Sequence, residues 1–501
     1  MSTASVAELA PNRPAVVMGR SGETVSFATF EERSNRMAHL FRARGLERGD
    51  TVALLLENHP RFLELAWAAH RAGLYYTAVN THLTAEEAAY IVRDSGARLL
   101  VSSRAMAPVA RVLDVDVEHR FMVDDVEDGW GDLDAALAAH LPTPIADEGQ
   151  GDVMLYSSGT TGRPKGIRRP LRFRPLDAPE ARGMWNEIGL GAGCVFLSPA
   201  PLYHGAPTTW AIAALRAGAT VVVMERFDPA ELLRLVEAHR VTHAQLVPTM
   251  FVRLLKLPPE DRARHDLTSL RAVVHAAAPC PVEVKEQMID WWGPIVHEYY
   301  SASERIGATF ITASEWLEHR GSVGRPFYGH PRILDDDGNE LSPGETGVVW
   351  FEGGPRFEYH NAPDQTAASR RDELATVGDI GHLDEDGYLY LTDRATFTII
   401  SGGVNIYPQE VEDVLIGHPK VLDVAVIGVP DDDLGEQVKA VVQLVNPGDA
   451  SHALADDLVA WCRERLSRYK CPRSVDFEAE LPRLDTGKLY KRQLRSRYWP
   501  D

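Results

Sequence analysis

Residues 219–240 read ATVVVMERFDPAELLRLVEAHR, and this one segment narrows the folds open to the chain. Ala219 to Met224 is an unbroken apolar run of strand length. Asp228 stands where a carboxylate can accept from the first unpaired N–H groups of a helix, and Pro229 takes the first helical position. Leu232, Leu233, Leu235 and Val236 then recur at helical spacing. A strand feeding a capped amphipathic helix is a βα unit, and it recurs. ENHPRFLELAWAAHRAGLYYTAVN reads as a helix stopped by Gly73 and followed by a strand. Such units through roughly the first three hundred residues predict α/β layers with largely parallel sheets.

At 501 residues the chain exceeds the ~250–300 at which a single core stops growing, so more than one domain is expected. After Gly324 the pattern changes. ILDDDGNEL, GVVWFEGG and HLDEDGYLYLTDR are short strands punctuated by Asp-Gly turns, which predicts an antiparallel β-subdomain over 324–394. From 395 the helical patterns YPQEVEDVLIGHP and LADDLVAWCRERLS alternate with the strands VLDVAVIGV and QVKAVVQLV, enough chain for a further domain. The expected organisation is α/β: a large N-terminal domain (1–394) of layered α/β sheets carrying the β-subdomain, then a small α+β C-terminal domain (395–501).

Composition restricts the partners. Hydrophobic residues are 45% and charged residues 25% of the chain, and the net charge is −20, which disfavours nucleic acid and anionic membrane surfaces. A local cationic site for ATP is still compatible with that mean field. Cys194, Cys280, Cys462 and Cys471 show no CxxC or zinc-ligand spacing and read as reduced thiols. The opening residues lack the basic-then-apolar layout of a secretory leader, and no apolar run approaches the ~20 residues that span a bilayer. A soluble cytoplasmic protein with no membrane span is expected. The sequence leaves oligomeric state open, a homodimer being one expectation.

The stretch LYSSGTTGRPKGI, Leu155 to Ile167, has a composition that neither a packed helix nor a packed strand favours. GDVMLY before it reads as a buried strand ending near Tyr156. A strand opening into a loop of Gly and hydroxyl residues exposes backbone N–H groups at close range, and one Lys adds a cation, an arrangement suited to polyphosphate oxygens. The Walker A pattern is absent, since Lys165 follows Pro164 and precedes Gly166, and no G-x-G-x-x-G occurs. On composition alone, a solvated surface loop stands beside the phosphate reading.

The order of residues in YSSGTTGRPKG resembles the signature loop of the adenylate-forming superfamily: acyl-CoA synthetases, peptide-synthetase adenylation domains and beetle luciferases. PLYHGAP (201–207), YYSASE (299–304), VGD (377–379), TDR (392–394), SGGVNIYPQEVE (401–412) and LPRLDTGK (481–488) follow in family order over nearly the whole chain. The resemblance implies a two-step reaction: a carboxylate attacks the α-phosphorus of ATP, and a thiol then displaces AMP from the acyl-adenylate. It implies ATP, Mg2+ and coenzyme A as cofactors and co-substrates, and a small-molecule carboxylic acid as partner.

Residue by residue, the resemblance implies that Ser157, Ser158, Gly159, Thr160, Thr161, Gly162 and Lys165 cradle the phosphates. Glu304 coordinates magnesium with Thr160 nearby. Tyr300 stacks on adenine beside Ser303, and Asp379 and Arg394 bind the ribose. Lys488 offsets charge at the attacking carboxylate and α-phosphate, and His204 gates the acyl pocket against the pantetheine tunnel. Trp210, Thr249, Ala276, Ala277, Ala278 and Ser301 line the acyl pocket. The mobile C-terminal domain turns about a hinge at Thr396, bringing Ser401, Gly402 and Gly403 to the pantetheine. For Glu304, Tyr300, His204 and Lys488 taken singly, the bland readings are a solvated Glu, a core Tyr, a core His and a surface Lys.

Three departures bear on function. DRATFTII places Thr396, Phe397 and Thr398 where charged residues are usual after the Arg, and Ser301 and Ser303 replace the usual Gly and Thr. Ser301 beside the pocket raises a second expectation: weak adenylation, with thiol transfer of a preformed acyl-adenylate as the main activity. A nucleotide-binding scaffold without catalysis is a third. No Asp follows Tyr203 and His204, where Gly205 and Ala206 stand, which disfavours an amino-acid activator. The small neutral residues of HAAAPC leave room for a bulky apolar acid. LTDRATFTIISGGVNIYPQEVE is most similar to ligases for steroid side-chain and diterpenoid carboxylic acids, so a polycyclic or alicyclic acid is expected, with CoA favoured over a carrier protein.

Overall fold

The structure is a computed structural model and describes residues 3–157, 164–171, 174–176, 183–394, 397–402, 404–431, 433–483 and 489–499. The chain divides into two compact units. The first comprises Met1–Leu246, Pro258–Val273 and Pro355–Ala368; the second comprises Val247–Leu257, Val274–Gly354 and Ser369–Asp501.

In the first unit the βα repeats produce parallel sheets, as their patterning requires. One six-stranded sheet runs in the order Gly131–Asp132, His119–Val123, Ala97–Ser103, Thr51–Leu55, Tyr75–Ala78, Asp152–Val153, every pair parallel. A second parallel set joins Pro14–Met18, Thr220–Val223, Val195–Ser198 and His243–Leu246, with Thr24–Ser26 antiparallel at its edge. The segment 219–240 folds as its chemistry dictates. The Asp228 side chain accepts from the Glu231 N–H at 2.8 Å, Pro229 begins the helix Pro229–His239, and Leu232, Leu233, Leu235 and Val236 are buried. The helix ends at Arg240 in the left-handed conformation, φ 49°.

In the second unit an antiparallel ladder runs Val296–Ser301, Ala308–Ile311, Ser322–Tyr328, Leu389–Arg394, Asp379–Leu383, Gly347–Glu352, with His330–Leu334 also on Gly347–Glu352. The ladder therefore starts at Val296, earlier than the Asp-Gly turns alone indicate, because its first hairpin turns through SASERIG instead. A five-stranded sheet follows, in which Val421–Asp431 and Gly435–Leu444 form a long hairpin; the free side of Gly435–Leu444 takes Ile399–Ser401 at its start, extended by Val404–Ile406, and Ser474–Phe477, parallel, farther along. The run VAVIGV is apolar throughout because both faces of this sheet are covered. Val424 and Val426 pack with Val411, Leu415 and Leu458, while Ala425, Ile427 and Val429 pack with Leu481 and Leu494. The expected α/β class, with large sheets followed by a small C-terminal sheet, is what the structure shows. Among the described residues no helix is long and apolar enough to cross a membrane.

Candidate active site

In the first unit the loop motif rises from a hairpin. Leu155–Ser157 pairs antiparallel with Lys165–Arg168, setting Ser157 opposite Lys165 and Tyr156 opposite Gly166. GDVMLY is therefore two short pieces, Asp152–Val153 in the parallel sheet and Leu155–Ser157 in the hairpin, with only partial burial of the second. This departs from one buried strand, because Met154 is where the chain changes partners. The hairpin base is clamped. Tyr156 Oη donates to Asp94 at 2.6 Å, His360 N–H donates to the Gly166 carbonyl at 2.7 Å, and a Cβ on Gly166 would meet the Tyr156 ring at 3.0 Å. Lys165 Nζ sits 5.3 Å from the Tyr359 ring centroid, and no carboxylate of the described residues pairs with it. Ser158, Gly159, Thr160, Thr161 and Gly162 lie outside the described residues.

PLYHGAP forms the entry to the helix Gly205–Arg216, with His204 at the N-cap and its ring 4.5 Å from that of Tyr203. A Cβ at Gly205 would meet Leu155 Cδ1 at 2.5 Å, so this helix approaches the loop hairpin closely and a larger residue would have to displace the Leu155 side chain. Trp210 is buried, stacked on Phe196 and edge-on to Trp185.

The second unit holds a cavity of about 330 Å3. Its wall gathers Thr249, Ala277, Ala278, Tyr300, Ser301 and Asp379 from motifs scattered over more than a hundred residues. Tyr300 Oη donates to Asp379 Oδ2 at 2.5 Å. Asp379 is buried, and Gly378 before it takes φ 79°, with its N–H held by Thr376 Oγ1 at 3.0 Å. Asp379 is in register with Arg394 on the neighbouring strand. Ala276 is buried behind the wall, whereas Ala277 is exposed to the cavity and takes φ 77°, a left-handed conformation in a residue carrying a Cβ. Ser301 Oγ donates to the Gly307 carbonyl at 2.9 Å. Its hydroxyl is thus satisfied by the hairpin that follows, while the side chain remains part of the cavity lining.

Glu304, in the turn after Ser301, is 7% exposed. One buried carboxylate together with phosphate oxygens is the donor set that Mg2+ accepts, so the residues present fit that ion. Among the described residues no group of three His, Cys, Asp or Glu forms a protein-only metal site.

The same cavity is lined by Phe397, Gln409, Arg483, Leu489 and Lys491. Arg483 and Leu489, on either side of positions 484–488, are joined by an isolated antiparallel bridge. Lys488 itself, like Thr396 and Gly403, lies outside the described residues. Ser401 ends the strand Ile399–Ser401 and Gly402 turns at φ 58°; neither lines this cavity. Lys491 bonds Glu412 at 2.8 Å and lies 5.6 Å from the Phe397 ring centroid. Sequence reasoning missed these, and also Glu298. The signal for Glu298 was present: two residues before Tyr300 on one strand, it shares that residue's face. Glu298 pairs with Lys285 at 2.6 Å beneath the cavity, and burial, outweighing the pull of Lys285, holds its carboxyl above the ordinary range. Burial, with the Lys285 charge adding, keeps the neighbouring His275 well below the usual imidazole value.

The chain matches the AMP-binding enzyme family over residues 4–356 and the AMP-binding enzyme C-terminal domain over 410–488. It is 35% identical to the feruloyl-CoA synthase of an Amycolatopsis sp, covering 98% of this chain and 97% of that one. It is 32% identical to the long-chain-fatty-acid–CoA ligase FadD13 of Mycobacterium tuberculosis, over 98% and 97%. The o-succinylbenzoate CoA synthetase MenE of Bacillus subtilis, solved with its acyl-adenylate intermediate, superposes with a TM-score of 0.81 at 28% identity, over 98% and 97%. A half-buried Tyr300 bonded to the buried Asp379, beside a wall of small residues, in a chain matched along both of its segments, has one explanation: the chain belongs to the AMP-binding enzyme family and is a ligase of that family.

Proposed function

We infer that this ligase converts a bulky apolar carboxylic acid, polycyclic or alicyclic, into its CoA thioester through an acyl-adenylate. The carrying observation is the single cavity that unites Tyr300 and Asp379 with Thr249, Ala277 and Ala278 and with both stems of the segment ending at Lys488. A carboxylate oxygen bonds to the α-phosphorus of ATP, the α–β anhydride breaks and pyrophosphate leaves. The thiol sulfur then bonds to the acyl carbon, the acyl–phosphate bond breaks, AMP leaves and the thiol proton passes to solvent.

The first step brings one anion to a crowd of phosphate oxygens, so positioning and electrostatics dominate it. Ser157, Ser158, Gly159, Thr160, Thr161, Gly162 and Lys165 hold the β- and γ-phosphates. Asp379 receives the ribose hydroxyls, with Arg394 across the ladder. Tyr300, tethered to Asp379, offers its ring to adenine beside Ser303. Glu304, with Thr160, would hold Mg2+, which supplies charge neutralisation at the phosphates. Lys488 supplies the cation at the reacting carboxylate. Residues 395–501 act as the moving domain, turning at Thr396 so that Ser401, Gly402 and Gly403 meet pantetheine while His204 gates the tunnel. Trp210 and Ala276 belong to the acyl-pocket assignment. Four free cysteines accord with a cytoplasmic location.

The test is acid-dependent ATP–pyrophosphate exchange over cholate, dehydroabietate, ferulate, palmitate and 2-succinylbenzoate, followed by thioester detection with CoA. The polycyclic acids should give the highest exchange; a preference for palmitate or ferulate refutes the substrate class. Lys488→Ala should lower exchange by about 10²–10³ while sparing thioester formation from supplied acyl-adenylate. Equal loss in both halves refutes the role of Lys488.

A further inference from the structure

The helix Pro248–Leu255 lends Thr249, Val252 and Arg253 to the cavity wall and is capped by Lys256. A lysine at a helix C-cap ordinarily reaches water or the last carbonyls of its own helix. Lys256 Nζ instead donates to the backbone carbonyl of Val421, the first residue of the strand Val421–Asp431. Two residues along, Asp423 accepts from Arg483 Nε at 2.5 Å and from Nη2 at 2.6 Å. Arg483 forms the bridge with Leu489, on the other side of 484–488. A continuous run of contacts thus leads from a wall helix, through one ammonium and one carboxylate, to the stem of the segment that carries Lys488.

Lys256 falls in the stretch matched as the AMP-binding enzyme family, whereas Val421, Asp423 and Arg483 fall in the stretch matched separately as its C-terminal domain. The contact therefore joins two segments that are recognisable independently, with the expected hinge between them. It can form only in a pose that brings Val421 to the end of this helix. Burial lowers the Lys256 ammonium below its ordinary pKa, with the Asp423 charge opposing the shift, so this contact is made at the expense of hydration.

We propose that Lys256 is a positioning residue for the adenylation half-reaction: through Val421 and the Asp423–Arg483 pair it holds the stem of the 484–488 segment at the cavity. The contact has no part in the thiol half-reaction and is broken when the C-terminal segment turns. This rests on the assignment of Lys488 to adenylation given above.

The full chain carrying Lys256→Met, Lys256→Arg or Asp423→Asn is assayed for ATP–pyrophosphate exchange with the best acid of the panel, and for thioester formation from that acid's synthetic adenylate and CoA. Melting midpoints are measured in parallel. Lys256→Met should lower exchange about tenfold, the loss expected for one charge-assisted hydrogen bond, and leave thioester formation unchanged or faster. Lys256→Arg should recover most of the exchange. Should Lys256→Met fail to fold, Asp423→Asn cuts the same run at its other end and should show the same split. Exchange at the wild-type level, or a parallel fall in both halves tracking the melting midpoint, overturns the proposal. Lys488→Ala separates the two readings: if it retains exchange, the assignment of Lys488 fails; if it abolishes exchange while Lys256→Met does not, only the positioning role fails.

Discussion

Replacing Lys285 by Met isolates the energetics beneath the site. The Lys285 ammonium lies 2.6 Å from Glu298 Oε2 and 4.7 Å from the Trp316 ring centroid, and the two charged side chains are 0% and 7% exposed. Methionine keeps the length of the aliphatic stem, so little cavity is created and the loss is that of the charge. Breaking a buried ion pair from one side costs about 3–5 kcal/mol, since the remaining charge is left without compensation. For a domain of about 150–250 residues, each kcal/mol moves the melting midpoint by roughly 2–4 °C, so a fall of about 10 °C is expected. The dependence on pH gives the sharper readout. Glu298 already has a raised pKa from burial, and removing Lys285 raises it further. A carboxyl whose folded value exceeds its unfolded one favours the folded state at low pH, and that advantage is lost as pH rises through the folded value. The deficit of Lys285→Met should therefore be full above the raised value and shrink toward the ordinary 4.5. Denaturant midpoints followed by tryptophan fluorescence across about pH 4–8 measure this, and Lys285→Met/Glu298→Gln should recover much of the loss. A deficit below about 1 kcal/mol near neutral pH, or one that does not vary with pH, refutes the reasoning.

Gly166→Ala would put a Cβ 2.6 Å from Met154 Cε and 3.0 Å from the Tyr156 ring, displacing the hydroxyl bonded to Asp94. It should cost about 1–3 kcal/mol and raise the KM for ATP; steady-state kinetics with a melting curve would expose an unaffected variant as a contradiction. Asp413, hydrogen-bonded to Gln409 at 2.7 Å, is pushed up to about 7 by burial, with the Glu412 and Asp393 charges adding and Gln409 and Lys491 opposing. Ionising it in the folded state carries a cost that accumulates between 3.8 and about 7. Asp413→Asn should therefore gain stability relative to wild type as pH rises through that window and hold the gain above it; melting midpoints with a constant offset would contradict this.

Local chemistry was readable and distant pairing was not. The helix Pro229–His239 was legible because its cap, first residue and apolar stripe lie within twelve neighbouring positions. The pairing of Val16 with Val221 was not, because both are apolar strand residues with no mark of partner choice. Thr249, Ala277, Ala278, Tyr300, Ser301 and Asp379, each singled out by its motif, line one cavity. Motif order could not show Lys285 buried, since a lysine in EVKEQMIDWW reads as solvent-facing until its partner is known to stand under the helix. Nor could it show that the Ser301 hydroxyl turns to Gly307, which depends on the hairpin geometry.

The left-handed backbone at Ala277 restricts what this point of the cavity wall can become. At φ 77° glycine fits without penalty, Asn and Asp tolerate the position best among residues with a Cβ, and β-branched or bulky apolar side chains are strained there. Here the wall can recede by one methyl at little expense and can hardly advance. Apolar variation at this point therefore runs toward glycine and a wider cavity, and any narrowing must arise from other residues around the chamber.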